Sequence, residues 1–572
     1  MAQATAGAGI SPLEARPIHT GRIFWASFLT LIAEGMGFGV RTGILADWGG
    51  QFGFTKSELG SITGGGLAGF GVTIIICSFF ADRIGYKAIL LGAFVLHALS
   101  AVLTLCATPV FHAAGRDATY WTLYIGMFMF ALGNGLCEAA INPLVATLYP
   151  KNKTHYLNIL HAGWPAGLVI GALIGFLFVG DQAFFTHLRW EIPIATFLIP
   201  AVWYGLIVIK ERFPRSETHA AGVSLGEQIT AVLAPIFIFL ILIHAMVGYV
   251  ELGTDSWISN ILNNVVGNYS LLLFIYISML MFILRFFAGP IVHRINPLGL
   301  LFVAACCGAT GLFMLGSFKT GAMLVVAGTI FALGKTFYWP TMLGVAGEQF
   351  PKSGALGMGL LGGFGMLSAG LLGGPGIGYK QDRNASNYLK DNTQYVQVYD
   401  RYKAEGSNQF LFFKPITGLD GSKVAVLQDN GAQLATDIKN LEKAGKKLSD
   451  DKNLSTLDAW WYGTDSKATA TVAAAVEKLK GDEAAKAEAA ARAALSDAPK
   501  LGAKAYAAED RPVILDANIY GGQQALKITA GVPVTMAACY LLLVLYFVAK
   551  GGYKQIHLTG EQASGGVEGP ME

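Results

Sequence analysis

Four apolar stretches of this chain carry ionisable and amide side chains at helical spacing. Glu34, Phe38 and Arg41 stand four and three residues apart, which puts them on one face of a helix. Asn134, Glu138 and Asn142 follow at successive steps of four and make a polar stripe, and the adjoining Pro143 frees a carbonyl that can hydrate or bend the helix. His244, Gly248, Glu251 and Asp255 repeat the arrangement, and Lys335 and Trp339 share a face with Tyr338 beside them. An ionisable group deep in hydrocarbon costs at least about 2.5 to 3.5 kcal/mol, so it is expected to face a wet cavity or a partner. A carboxyl held away from water takes up protons more readily than one in solution, so these residues offer reversible proton binding near neutral pH. Glu138 is the first candidate and Glu34 the second. The competing expectation is that either is fixed in an ion pair with Lys335 or Arg41.

Around these groups lie aromatics and amides suited to a ligand with many hydroxyls. Trp339, Tyr338, Trp164 and Phe38 offer ring faces, and Asn134, Asn142 and the carboxylates offer hydrogen-bond acceptors. Packing or interfacial anchoring is the alternative role for each ring. His97 and His161 stand alone on apolar stretches, as packing histidines or proton relays, and His161 shares a face with Pro165. Arg285, within LRFFAGP, is expected either to act as a gate charge at a span's end or to snorkel to the interface.

The elements that position these residues are membrane spans. Of the 572 residues, 53% are apolar, only 14% are charged and 71 are glycine. A water-soluble surface needs roughly a quarter charged residues, so lipid must cover much of this chain. Apolar stretches of spanning length begin near Arg22, Leu59, Lys87, Trp121, Asn158 and Ile192, and again near Ala231, Leu271, Leu298, Ala322, Gly354 and Ile528. The fold class expected is an all-α membrane protein of twelve transmembrane helices in two pseudo-symmetric six-helix bundles. Its parts are an N-terminal bundle, 1–210; a central loop, 211–228; spans seven to eleven, 229–379; a polar insertion, 380–527; and span twelve with a tail, 528–572. Basic residues such as Arg83, Lys87, Lys151, Lys210, Arg294, Lys352 and Lys550 cluster on one side, which is therefore expected to be cytoplasmic and to hold both termini. The location implied is the cell (inner or plasma) membrane. The insertion is then extracytoplasmic: a small cap domain, a platform for a partner, or disordered, with its Ala-, Glu- and Lys-rich stretch 467–500 favouring helix and AWWYG, from Ala459, offering an aromatic contact.

The six cysteines all lie in apolar stretches and imply neither disulfides nor a metal site. A net charge of +3 gives no reason to expect nucleic acid. No Walker loop, HExxH or nucleophile elbow is present, so an enzyme is not expected, nor a cofactor.

Two blocks of equal length mark a duplication: FALGNGLCEAAINPLVATLYP from Phe130 and FALGKTFYWPTMLGVAGEQFP from Phe331. They equate Lys335 with Asn134, and Trp339 with Glu138. The segment SFFADRIGYK, from Ser78, resembles the loop signature of the major facilitator superfamily, matching it at Asp82, Arg83, Gly85 and Lys87. Ser78 and Tyr86 depart from that signature, where a glycine and a basic residue are usual. The resemblance implies a gating role for these four residues, with Arg285 and Arg294 added as gate charges, and a central cavity lined by spans 1, 4, 7 and 10. GLCEAAINP (from Gly135) with LNILHAGWPAG (from Leu157) further resembles the fucose:proton symporter family, which carries membrane acids where Glu138 and Glu34 stand.

The leading expectation is a secondary transporter, a proton-coupled symporter of a sugar or similar small polar metabolite working by alternating access. The substrate residues expected are Asn134, Asn142, Lys335, Trp339, Tyr338, Phe38, His161, Trp164, His244, Glu251 and Asp255. One alternative is an organic-anion carrier or exchanger using Lys335 and Arg41; another is a membrane receptor or scaffold presenting 380–527.

Overall fold

In a computed structural model the described residues are 17–558, except 53, 55, 179–183, 186–187, 268, 444, 464–465, 467–468 and 471–500. The stretch expected to be helical at 467–500 therefore lies almost wholly outside the described residues.

The described chain is helical, with only three isolated β-bridges. The spans run Thr20–Phe52 (span 1), Lys56–Ile84 (span 2), Tyr86–Leu105 (span 3) and Ala107–Leu148 (span 4). Span 5 joins Lys153–His161 to Gly163–Phe178, and span 6 joins Glu191–Ala195 to Leu198–Lys210. Two short linker helices, Glu217–Ala220 and Leu225–Val232, lead to the second half. There follow Pro235–Val266 (span 7), Tyr269–Arg285 (span 8) and Ala288–Leu315 (span 9). Span 10 joins Gly321–Lys335 to Tyr338–Gln349, and span 11 runs from Gly354 to Lys390 through a π-helical turn at Ala369–Gly373. Span 12 joins Ala507–Thr529 to Gly531–Ala549. Among the described residues, ten helical stretches are long and apolar enough to cross a membrane, and Tyr269–Arg285 is a shorter apolar helix. Their outward faces are apolar, as at Trp25, Trp203, Leu242 and Leu542, which lipid would cover.

Between lipid-solvated helices there is little hydrophobic drive, so close packing has to come from small residues. Spans 1 and 5 meet through glycines four apart on each: a Cβ on Gly39 would lie 3.0 Å from the Leu168 carbonyl, and one on Gly171 would lie 3.0 Å from the Gly39 Cα. Spans 7 and 11 repeat the device, since a Cβ on Gly253 would lie 2.7 Å from the Gly373 Cα. The duplication legible in the FALG blocks thus extends to the way each half is fastened together.

The polar stretch 380–527 begins and ends inside helices. Span 11 continues past Tyr379 to Lys390, and span 12 is helical from Ala507, well before Ile528. Hydropathy places a boundary where polarity begins, whereas these helices persist beyond it because their polar turns pack on each other and on the insertion. Between them, Val396–Tyr402, Gly421–Gln428, Ala432–Lys443 and Lys452–Tyr462 form a small helical module around Tyr402, Leu427, Leu434 and Trp461, seated on Leu389 and Ile514. The AWWYG segment supplies the aromatic centre: Trp461 is buried, and Trp460 donates to the Arg401 carbonyl at 3.1 Å while standing edge-on to Tyr402. Arg401 grips the buried Asp510 through two bonds of 2.8 and 2.6 Å, tying the module to span 12. Helix Ala432–Lys443 lies against span 1, so the module touches both halves.

Candidate functional site

Two prolines shape the centre of the molecule. Pro165 and Pro340 each lack an N–H, so the carbonyls four residues earlier, of His161 and Thr336, lose their intrahelical donor. Both spans break there, at Ala162 in span 5 and at Thr336–Phe337 in span 10. Arg285, at the end of span 8, takes both freed carbonyls: Nε donates to Thr336 O at 2.9 Å and an Nη donates to His161 O. Its remaining Nη pairs with Glu251 Oε1 of span 7 at 3.1 Å. Arg285 is 1% exposed, so it neither snorkels nor sits at an aqueous end; the side chain turns inward because three acceptors wait there.

His161 continues the chain of bonds. Its ring donates from Nε2 to Asn142 Oδ1 at 2.8 Å, and Asn142 Nδ2 donates to Glu138 Oε2 at 2.7 Å. Glu138, His161, Trp164, Glu251, Arg285 and Trp339 line one cavity between the halves, of about 30 Å³. That is room for about one or two waters. Glu138 forms no ion pair among the described residues. Glu34 is fully buried beside Glu138, with the Cys137 thiol as its polar neighbour.

The ion pairs expected as the fixed alternative are not formed. Lys335 is held by both oxygens of Asp255, at 2.5 and 2.7 Å, because one turn of span 7 brings that carboxylate over the span 10 break. Arg41 bonds to the Gly37 carbonyl at 3.0 Å and lies 3.9 Å above the Phe130 ring. The cation that an organic-anion reading takes from Lys335 is thus already matched by a carboxylate.

Other expected residues are drawn elsewhere. Asn134 accepts from His97 Nε2 at 2.9 Å, whose Nδ1 accepts from Tyr204 at 3.0 Å, inside the N-terminal bundle. Tyr338 points into span 9, donating to Ala304 O at 3.0 Å. Phe38 packs between Phe130 and Trp164. His244 packs on Trp339 with ring centroids 4.6 Å apart and the planes tilted by 60°, and both its buried nitrogens lack partners among the described residues.

A second cluster closes one end between the halves. Asp82 accepts from Tyr86 (3.0 Å), Thr218 (2.8 Å) and Gln228 (3.2 Å), and from the Ala355 N–H (3.2 Å) at the start of span 11. A carboxylate there also meets the positive end of the helix dipole. Gly85, at φ 89°, allows the tight turn into span 3, and Lys87 reaches the carbonyls of Ile209 and Glu211. Arg83 and Arg294 are exposed. The charge signature identified these residues, but it did not identify their partners. Lys153 bonds Glu217 (2.6 Å) and the Gly347 carbonyl (3.2 Å), Thr154 bonds Glu348 (2.6 Å) and Asn158 bonds Thr341 (3.1 Å), so all three side chains join the halves directly. Glu348 also receives Tyr553 at 2.8 Å from the segment after span 12. A lone acid near the end of the second FALG block was the available signal.

The sequence profile of the Major Facilitator Superfamily matches residues 24–374. The chain belongs to that superfamily. Its members are transporters, and this chain is a multi-pass membrane protein of that kind rather than an enzyme. The L-fucose-proton symporter of Escherichia coli (strain K12) is 28% identical over 125 residues, 22% of this chain and 27% of that protein, so the match spans about a quarter of its length. The fold of this superfamily member is similar to that of the solved transporter FucP in its outward conformation (TM-score 0.50, 19% identity, 63% of this chain and 92% of that one). It is also similar to the proton:xylose symporter XylE (0.51, 16%, 65% and 90%). A bacterial homologue of the lysosomal transporter Spinster, facing inward, covers 96% of this chain and 100% of its own (0.56, 15%).

Proposed function

We propose that this superfamily member is a proton-coupled symporter of a sugar or similar small polar metabolite, with Glu138 as the proton-binding group and Glu34 its neighbour. The observation that carries this reading is the placement of Glu138 on the cavity wall between the halves, bonded to an amide instead of a cation. Adding or removing its proton breaks no salt bridge, whereas Glu251 and Asp255 are each committed to one. The partial match to a fucose-proton symporter supports a sugar as cargo. Trp164 and Trp339 on the same wall offer ring faces, and Asn142 behind Glu138 offers an amide.

A cavity of about 30 Å³ is far too small for a sugar, so the halves must part to admit one. Alternating access follows, with opening first on one side of the cavity and then on the other. We place the Asp82 end and both termini in the cytoplasm of a cell (inner or plasma) membrane, on the bias of Lys and Arg in the short loops. The module between spans 11 and 12 then lies outside. In liposomes containing the purified full chain, substrate-dependent proton uptake is expected, and Glu138→Gln should abolish it. Proton-coupled uptake undiminished in that variant would remove Glu138 from the mechanism.

A further inference from the structure

We infer that Arg285 is a latch between the two halves at the central cavity, a positioning residue that closes the Asp82 end by capturing a carbonyl which Pro165 has stripped of its helical donor. This deepens the symporter reading, and rests on it only for why the halves must part.

The guanidinium has three acceptors, and they divide unequally between the halves. Glu251 and Thr336 belong to the second half, as does Arg285 itself, so two bonds hold the fork in a fixed aim. The third acceptor, the His161 carbonyl, belongs to the first half. Rocking the halves apart at this end leaves the first two bonds intact and breaks the third. A carbonyl freed by proline and buried in a membrane protein has no helical donor to fall back on, so opening here leaves it unsatisfied until water arrives. The small cavity, lined by both Arg285 and His161, is where that water enters.

His161 has a second connection. Its ring donates to Asn142, which donates to Glu138, so the residue whose carbonyl is latched also anchors the amide on the proton-binding carboxyl. Two neighbouring cross-half contacts lie on the same side of the cavity: Asn158 with Thr341, and His155 Nδ1 accepting from the Gly289 N–H at 3.1 Å. Neither brings a buried charge to a carbonyl that has lost its donor. Lys153 does so farther from the cavity, donating at 3.2 Å to the Gly347 carbonyl that Pro351 frees, so Arg285 is the fastening of this kind at the cavity itself.

The test is amide hydrogen exchange on the purified full chain in lipid nanodiscs, comparing the parent with Arg285→Lys. Lysine keeps the charge, but as a point donor it cannot hold Glu251 and both carbonyls in one plane. Exchange in 150–161 and 341–353 should rise roughly ten- to hundred-fold, the range for losing one charge-assisted hydrogen bond, with span 3 and residues 298–315 of span 9 unchanged. No local rise, or an equal rise in every span, overturns the latch. If Arg285→Lys does not fold, Pro165→Ala decides: its restored N–H competes for the His161 carbonyl, and exchange in the same two segments should rise several-fold. No change there also overturns the proposal. The readout involves no transport of substrate or protons. A latch confirmed alongside a Glu138→Gln variant that still couples would sink the coupling assignment alone.

Discussion

Lys335 and Asp255 show how a membrane-buried charge is made tolerable. The amine is 1% exposed and meets both carboxylate oxygens, so Coulomb attraction and two hydrogen bonds offset the lost hydration. Removing one partner strands the other: Lys335→Met should lower stability by about 3 kcal/mol, read as a lowered melting temperature in detergent. Lys335→Met with Asp255→Asn should recover most of that loss, because the pair is then removed as a unit. Full additivity of the two single effects would show that the pair does not interact. Arg41 illustrates the other solution, with a ring face beneath the guanidinium and a carbonyl within its own helix. Helical spacing in the sequence placed Glu34, Glu138, Glu251 and Lys335 on inward faces, and burial agrees for all four. Spacing could not tell which acid takes which base. That depends on the azimuth of one span against another, set by glycine contacts and proline breaks far along the chain.

At the scale of the helix, those glycine contacts decide whether the bundles close. A Cβ on Gly167 would come within 2.8 Å of the Met36 amide nitrogen and 2.9 Å of the Gly35 Cα, both backbone atoms that cannot swing away. Gly167→Ala should therefore cost about 1–3 kcal/mol by overpacking, and Gly167→Leu should leave little folded protein by size-exclusion chromatography. Gly321 at the start of span 10 has open space around it, so Gly321→Ala should be neutral or slightly stabilising, and it serves as the control. Span boundaries were legible where apolar residues end at a turn, as at Gly354. They were not legible at Lys390 or Ala507, where polar residues continue a helix that hydropathy cannot see. Breaks such as Thr336–Phe337 were foreshadowed by Pro340, but the cation that occupies the freed carbonyl comes from another span.

Across the whole molecule, the two halves are held together at the Asp82 end by polar contacts and are touched at the other by the inserted module. Burial disfavours a charged Arg401, but hydrogen bonds and charge from Asp510 outweigh it and raise its pKa, so the guanidinium stays charged across the physiological range. Arg401→Ala leaves Asp510 buried without its cation, at a cost of about 2–3 kcal/mol after allowing for the partial exposure of the arginine. Limited trypsin digestion should then cut within 403–462 at least about tenfold faster, while fragments spanning residues 17–390 stay intact. Cleavage no faster than in the parent would mean that the module is anchored by its aromatic centre alone.

The placement of that module between the last two spans sets an order of events during synthesis. More than about a hundred residues separate Lys390 from Ala507, and translation at roughly 5–20 residues per second takes on the order of 5–25 s to cover them. Throughout that interval the nascent second bundle lacks the helix whose Leu526, Met536 and Tyr540 complete its core. Lipid or a transient neighbour has to cover that open flank until the ribosome has finished the final helix.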